Sequence, residues 1–159
     1  MAYEFYITIE GTKQGKFKGE SIRDKHKEKM EGLAFEWKVQ SPRDIATGQA
    51  SGKRQHMPIK VTKEWGGASP QIFHALCTNE VLKSVLFEFI RTTAEGAEEI
   101  HHTIKLTNAT ISELHPYIGM AKHEERTDVH ELEDVSFTYQ KIEIENKTAK
   151  TMAVDDWTK

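Results

Sequence analysis

The sequence predicts a mainly β protein, an antiparallel β-barrel formed by two sheets with one flanking α-helix over about Ser69–Asn79. Three observations carry that expectation. Apolar and polar residues alternate with a period of two through most of the chain. Twice the alternation changes phase without an intervening turn, which marks a bulge or sharp bend. Strands that bend and swap their inward and outward faces form the corners of barrels and orthogonal sandwiches. Only one stretch carries a convincing helical start, stripe and stop.

Taken in order, Tyr3–Ile9 opens the alternation with Tyr3, Phe5, Ile7 and Ile9 on one side. Gly11–Met30 is polar and reads as a loop with a short helical turn near Ile22–Lys29. Leu33–Gln40 is the second strand, with Leu33, Phe35, Trp37 and Val39 inward. Ser41–Arg54, SPRDIATGQASGKR, is long, polar and nearly free of large apolar residues, and loops of that kind are usually functional or disordered. Met57, Ile59 and Val61 follow, with His56 and Lys60 on the opposite, polar face. Pro58 cannot donate to a ladder, so this strand belongs at an edge or beside a bulge.

In TKEWGGASPQIFHALCTN, Gly66 and Gly67 turn the chain, Ser69 reads as a helix N-cap and Pro70 as the first helical residue. Ile72, Phe73 and Leu76 make the apolar stripe, and Asn79 is the stop. Val81–Thr92 is apolar on both faces and should be covered on both. Beyond it Ile100, Ile104 and Leu106 are even-numbered, whereas Ala109 and Ile111, after Asn108, are odd. Pro116–Asp128 is a third polar loop. The second phase change separates Val135, Phe137 and Tyr139 from Ile142 and Ile144, and Trp157 closes a polar tail. Residues 1–159 read as a single domain.

The bulk numbers exclude several classes. At 159 residues the chain is one ordinary domain with room for a real core. A net charge of −3 and small, interrupted basic clusters (Lys25, His26, Lys27 and Lys29; Lys53, Arg54 and His56) predict no nucleic-acid partner, which would need a broad basic face. A single cysteine rules out an intrachain disulfide. Apolar runs are too short for membrane insertion, and the start has no signal-peptide pattern. The expectation is a protein made in the cytoplasm that, if exported, leaves by a route reading the folded chain.

Catalytic patterns fail one by one. No Lys follows the double glycine as a phosphate-binding loop requires, and one helix cannot make repeated strand–helix units. His101 and His102 are neighbours on a strand, face opposite ways and cannot chelate one ion, and His102 reads as half-buried. His115, His123 and His130 lack metal-ligand spacing. Glu131 and Glu133 share a face and read as a solvated rim. Cys77 reads as a packing residue on the helix, Trp37 as core, and no serine sits in a nucleophile elbow. No catalytic residue, metal or cofactor site is expected.

The order of GES (19–21), DKHK (24–27), LAFEW (33–37), TGQASGKR (47–54), KEWGGASPQ (63–71), LTNATIS (106–112) and EDVSFTYQKIE (133–143) resembles the haemolysin-coregulated protein (Hcp) family over nearly the whole chain. Members of that family are tube subunits of bacterial type VI secretion systems. The resemblance implies a β-barrel of two sheets with one helix on its flank, and a homohexameric ring stacked into a hollow tube. It implies as partners a contractile sheath, a valine-glycine repeat spike and small secreted effectors held in the lumen. It also implies assembly in the cytoplasm, export through the type VI system and no enzyme activity. Some relatives carry toxin domains after the barrel, and none is expected after MAVDDWTK.

In the family the loop between the second and third strands projects toward the neighbouring ring. Here that loop is Ser41–Arg54, so Arg43, Asp44, Gly48, Gln49, Lys53 and Arg54 are the candidate ring-stacking residues. No role transfers to KHEERTD (122–128). The competing reading is a monomeric barrel that binds a small apolar ligand inside.

Overall fold

The computed structural model describes residues 4–19, 21, 27–118 and 131–158. Among them the chain forms β1 (Glu4–Gly11), β2 (Gly15–Lys16), β3 (Met30–Glu36), β4 (Val39–Gln40), β5 (Gln55–His56) and β6 (Ile59–Glu64). Then come α1 (Ser69–Thr78), β7 (Leu82–Thr92), β8 (Glu98–Ile118), β9 (Glu131–Thr138), β10 (Lys141–Asn146) and β11 (Thr151–Asp156). The expectations for Tyr3, for most of the turn near Ile22–Lys29, for His123 and His130, and for 119–128 of the third loop lie outside the described residues.

A barrel closes through the antiparallel order β8-β7-β1-β3-β6-β9 and back to β8. The closure depends on the first phase change. β8 runs for 21 residues, pairing with β7 up to Ala109 and with β9 from Thr110 onward. At the junction Asn108 takes φ 51°, so Ile104 and Leu106 before it and Ala109 and Ile111 after it all reach the core. The second phase change is a corner at Tyr139–Gln140. β9 stays in the barrel beside β6, while β10 leaves it to lie along β8, with Ile142 opposite Leu106. β11 pairs with β10 as the outer strand of this wing, so the tail read as polar is a strand.

The barrel is filled by Ile7, Ile9, Ile59, Val61, Val85, Phe87, Leu106, Val135 and Phe137, all buried. β7 is covered on both faces as expected, Phe87 inward and Glu88 outward both being buried. Glu88 accepts a hydrogen bond from Lys29 at 2.6 Å.

β3 departs from the simple alternation. Its register against β6 shifts between Gly32 and Ala34, which turns Leu33 outward and returns Phe35 to the core edge. Gly32 faces the Phe5 ring, where an added Cβ would lie 2.1 Å from ring carbons. Phe5 is fixed by Phe35 and Phe89 at ring separations of 5.9 and 5.4 Å, so it has little freedom to yield. We predict that Gly32→Ala costs about 1–3 kcal/mol through overpacking. Urea unfolding reads this, and an unchanged midpoint would mean that the aromatic cluster relaxes freely.

The helix lies where predicted, but its details differ. Asn79 caps its end in the left-handed region at φ 55°. At the start, Ala68 occupies the N-cap position, and no side chain caps the helix. Ser69 is the first helical residue, with its hydroxyl committed elsewhere. Ile72 and Ala75 are the buried side chains, whereas Phe73 and Cys77 are exposed, so the packing role expected for Cys77 fails. One helical turn places positions 73 and 77 on the same outward edge. No described helix is long and apolar enough to cross a membrane.

Candidate assembly arm and its anchor

The stretch expected as an irregular loop is a hairpin arm. Its root is the two-residue ladder of β4 and β5, Val39 opposite His56 and Gln40 opposite Gln55. Farther out, Arg43 and Ala50 form an isolated bridge, and the Ser51 amide donates to the Pro42 carbonyl at 2.9 Å. At the tip the Asp44 amide donates to Gln49 O and the Gly48 amide to Asp44 O, each at 2.8 Å. The Asp44 carboxylate accepts the Ala46 amide at 2.9 Å, an Asx turn that its short side chain makes locally. Gly48 sits at φ 73°, where a side chain would be strained. The arm therefore meets much of its own backbone hydrogen-bonding demand while standing in solvent.

Five of the six predicted stacking residues, Arg43, Asp44, Gly48, Gln49 and Lys53, are exposed on this arm. Beside them at the tip stands Ile45, fully exposed. Arg54 is different: its guanidinium grips the Asp155 carboxylate with both Nε (2.6 Å) and Nη2 (2.7 Å), and Nη2 also donates to the Asp156 carbonyl at 3.2 Å. That bidentate bond holds the Asp155 carboxyl below its ordinary range, with burial opposing and His56 assisting. Hydrogen bonding to Asp155 likewise raises Arg54.

His56 was expected on the polar face but is 4% exposed in its side chain. The break at Pro58 uncouples its direction from that of β6. Its Nε2 lies 2.7 Å from Asp155 Oδ2 and its Nδ1 lies 2.8 Å from the Tyr139 hydroxyl. The Tyr139 hydroxyl also accepts from Trp37 Nε1 at 3.2 Å, and Trp157 Nε1 donates to the Tyr139 carbonyl. An ionised Asp155 requires a proton on Nε2, and the Tyr139 hydroxyl, which accepts from Trp37, has both its proton and a second lone pair for the bond to Nδ1. Burial raises the Tyr139 phenol, so its hydroxyl stays protonated.

An aspartate–histidine–hydroxyl series has the outline of a nucleophilic triad. Here, however, the hydroxyl belongs to a tyrosine that is 5% exposed, and its hydrogen bonds are already committed. The cluster reads as an anchor joining the arm root to β9–β10 and β11.

Two further polar sites lie at the other end of the barrel. Lys63 and Glu133, opposite one another on β6 and β9, are 1% and 2% exposed with Nζ 2.8 Å from Oε1. This overturns the solvated rim for Glu133, which shares its parity with the inward Val135 and Phe137, whereas Glu131 is exposed as expected. Ser69, expected as a cap, donates to the same Glu133 oxygen at 2.8 Å and accepts the Gly66 amide at 3.0 Å. Glu80, also buried, accepts the Lys13 and Gln14 amides at 3.2 and 3.0 Å. Burial alone would raise its pKa, but these amide bonds together lower it.

Asp155 and Glu80 thus both have folded-state values below the unfolded ones. Their contribution to stability is present above the ordinary carboxylate range and is lost as pH falls through the lowered values. We expect the melting temperature to be nearly flat above about pH 5 and to fall below it. In Glu80→Gln that fall should be shallower, and an equally steep fall would remove Glu80 from the account.

The register of β8 against β7 shifts between His102 and Ile100, so His101 sits at a bulge where strict alternation fails and the His101 and His102 ring centroids lie 6.3 Å apart; His102 is half-buried against Phe89. No cluster of three potential metal ligands occurs among the described residues.

The family described as "Type VI secretion system effector, Hcp" matches residues 6–145. The major exported protein of Pseudomonas aeruginosa is 33% identical over 166 residues, covering 99% of this chain and 96% of the relative. A crystal structure of an Hcp protein superposes with a TM-score of 0.92 at 30% identity, over 98% of both chains. Hcp1 from the E. coli EAEC 042 pathovar does so with a TM-score of 0.86 at 27% identity, over 98% of this chain and 99% of that one.

Proposed function

The chain belongs to the Hcp family of type VI secretion proteins, and on that premise we propose that it is a tube subunit whose arm joins successive rings. Family membership makes it a secreted, self-associating component of that system. Beyond this, our reading is a homohexameric ring, assembled in the cytoplasm and stacked into a hollow tube inside a contractile sheath. A valine-glycine repeat spike caps the tube, and small effectors travel in the lumen. The protein carries out no catalysis in this reading.

The arm is the observation that carries it. An exposed hairpin with its own turn hydrogen bonds and a fixed root loses little further entropy on docking, which is what a repeated contact between copies needs. Such a head-to-tail contact is heterologous and propagates into a filament. The alternative, a monomer with an apolar ligand inside, is less well supported because side chains such as Phe87, Phe137 and Leu106 fill the barrel.

Native mass by light scattering, with negative-stain images of the same fraction, tests the ring. Open-centred hexamers are expected. A monomer at every concentration, gaining thermal stability with an added apolar ligand, would favour the alternative. Ile45 supplies a finer prediction. Its fully exposed side chain has no folding role, so Ile45→Ser should leave stability within about 0.5 kcal/mol. If the tip is buried between rings, the same change should weaken ring–ring association by roughly tenfold or more. Tube sedimentation reads this, and equal association would place the contact elsewhere on the arm.

A further inference from the structure

We propose that the C-terminal strand β11 positions the arm, with Asp155 as the residue through which it acts. Among the described residues, the side-chain hydrogen bonds joining residues 39–56 to the rest of the chain all end on Tyr139, Asp155 and Asp156. The arm has little else to set its direction. Its root ladder is two residues long, extended by the Met57 amide donating to the Lys38 carbonyl at 3.1 Å. A ladder of that length is marginal by itself. Residues 43–53 are all exposed, so no packing holds the outer part against the barrel.

The anchor supplies what the ladder lacks. Arg54 approaches Asp155 from one side of the root strand, and His56, two residues on, reaches the same carboxylate and Tyr139. Residues 54 and 56 share a strand face, so a single rotation of β5 would break both contacts. The Trp157 ring lies 6.3 Å from the His56 ring, and its indole is tied to the Tyr139 carbonyl, which holds the end of β11 over the same point. Among the described residues β11 itself pairs only with β10, at the outer edge of the wing. Docking of β11 and orientation of the arm are thereby one event: with β11 in place the root is clamped in one direction, and without it the hairpin swings about residues 38 and 57.

The consequence for ring stacking rests on the function proposed above, whereas the positioning itself does not. Hydrogen exchange on the full-length protein separates the two, with Asp155→Asn removing the charge and His56→Gln removing the second contact while leaving Asp155 intact. In both variants we expect the amides of residues 55–57 to exchange about tenfold faster or more, the effect of losing one charge-assisted hydrogen bond. The core amides of β7 and β8 should be unchanged.

Unchanged root amides would overturn the inference. Acceleration of root and core amides in parallel would overturn it too, since the cluster would then serve global stability alone. Root acceleration with weakened stacking supports both readings. Root acceleration with normal stacking upholds the positioning and overturns the arm as the ring-to-ring contact.

Discussion

Replacing Glu133 with alanine is expected to cost roughly 3–5 kcal/mol of stability, among the largest effects of any single change in this chain. The cost comes from what remains. Lys63 is 1% exposed, and its ammonium lies 2.8 Å from the carboxylate being removed. The Glu64 carbonyl also accepts one of its protons at 2.7 Å, so the change takes a carboxylate out of a buried polar network and leaves the ammonium with less negative charge about it. Ser69 would lose its acceptor at the same time, loosening the first turn of α1. Denaturant unfolding of Glu133→Ala measures the cost.

The double variant Lys63→Met/Glu133→Leu then separates two explanations. If the single-variant cost reflects an abandoned charge, the double variant should recover most of the stability, because replacing a buried ion pair with apolar residues of similar volume is often neutral or stabilising. If the double variant is as unstable as the single one, the pair contributes through its geometry and its link to Ser69. A cost below about 1 kcal/mol for the single variant would mean that water reaches Lys63 more easily than its burial indicates.

Deleting Gly48–Lys53 should abolish tube formation and export while leaving folded rings. The segment contains one side of the Arg43–Ala50 bridge and the Gln49 acceptor of the tip turn, so its loss collapses the outer arm. It spares Arg54, His56 and their anchor on Asp155, and it removes no core residue. A melting temperature close to that of the intact chain is therefore expected, with light scattering still reporting rings and electron microscopy no tubes. Tubes and export that survived the deletion would refute the role given to the arm. Loss of the rings themselves would instead assign the arm to contacts within one ring.

Much of the barrel was legible in the chain because strand parity is a local signal. The two phase changes mark the bend at Asn108 and the corner at Tyr139–Gln140. The helix was legible from its Asn79 stop, although its cap was not: Ser69 is drawn to Glu133, 64 residues away. The arm was visible as a polar stretch, and its hairpin order was missed because turn bonds such as Gly48 to Asp44 leave no apolar period. β11 was missed for a related reason. Its Met152 and Val154 face solvent, so alternation there has no core to report.

What the sequence alone determined is the alternation that builds a barrel, the bends that close it, and the residue order that marks the family. Only the tertiary structure decided which polar residues are buried and with whom. Glu133 and Lys63 are 70 positions apart, His56 and Asp155 99, Arg54 and Asp155 101. Parity tells which way a side chain points, whereas the cost of burying a charge depends on the group that packs opposite it. That group is supplied by closure of the sheet, a long-range event for which no local pattern in this chain gives notice.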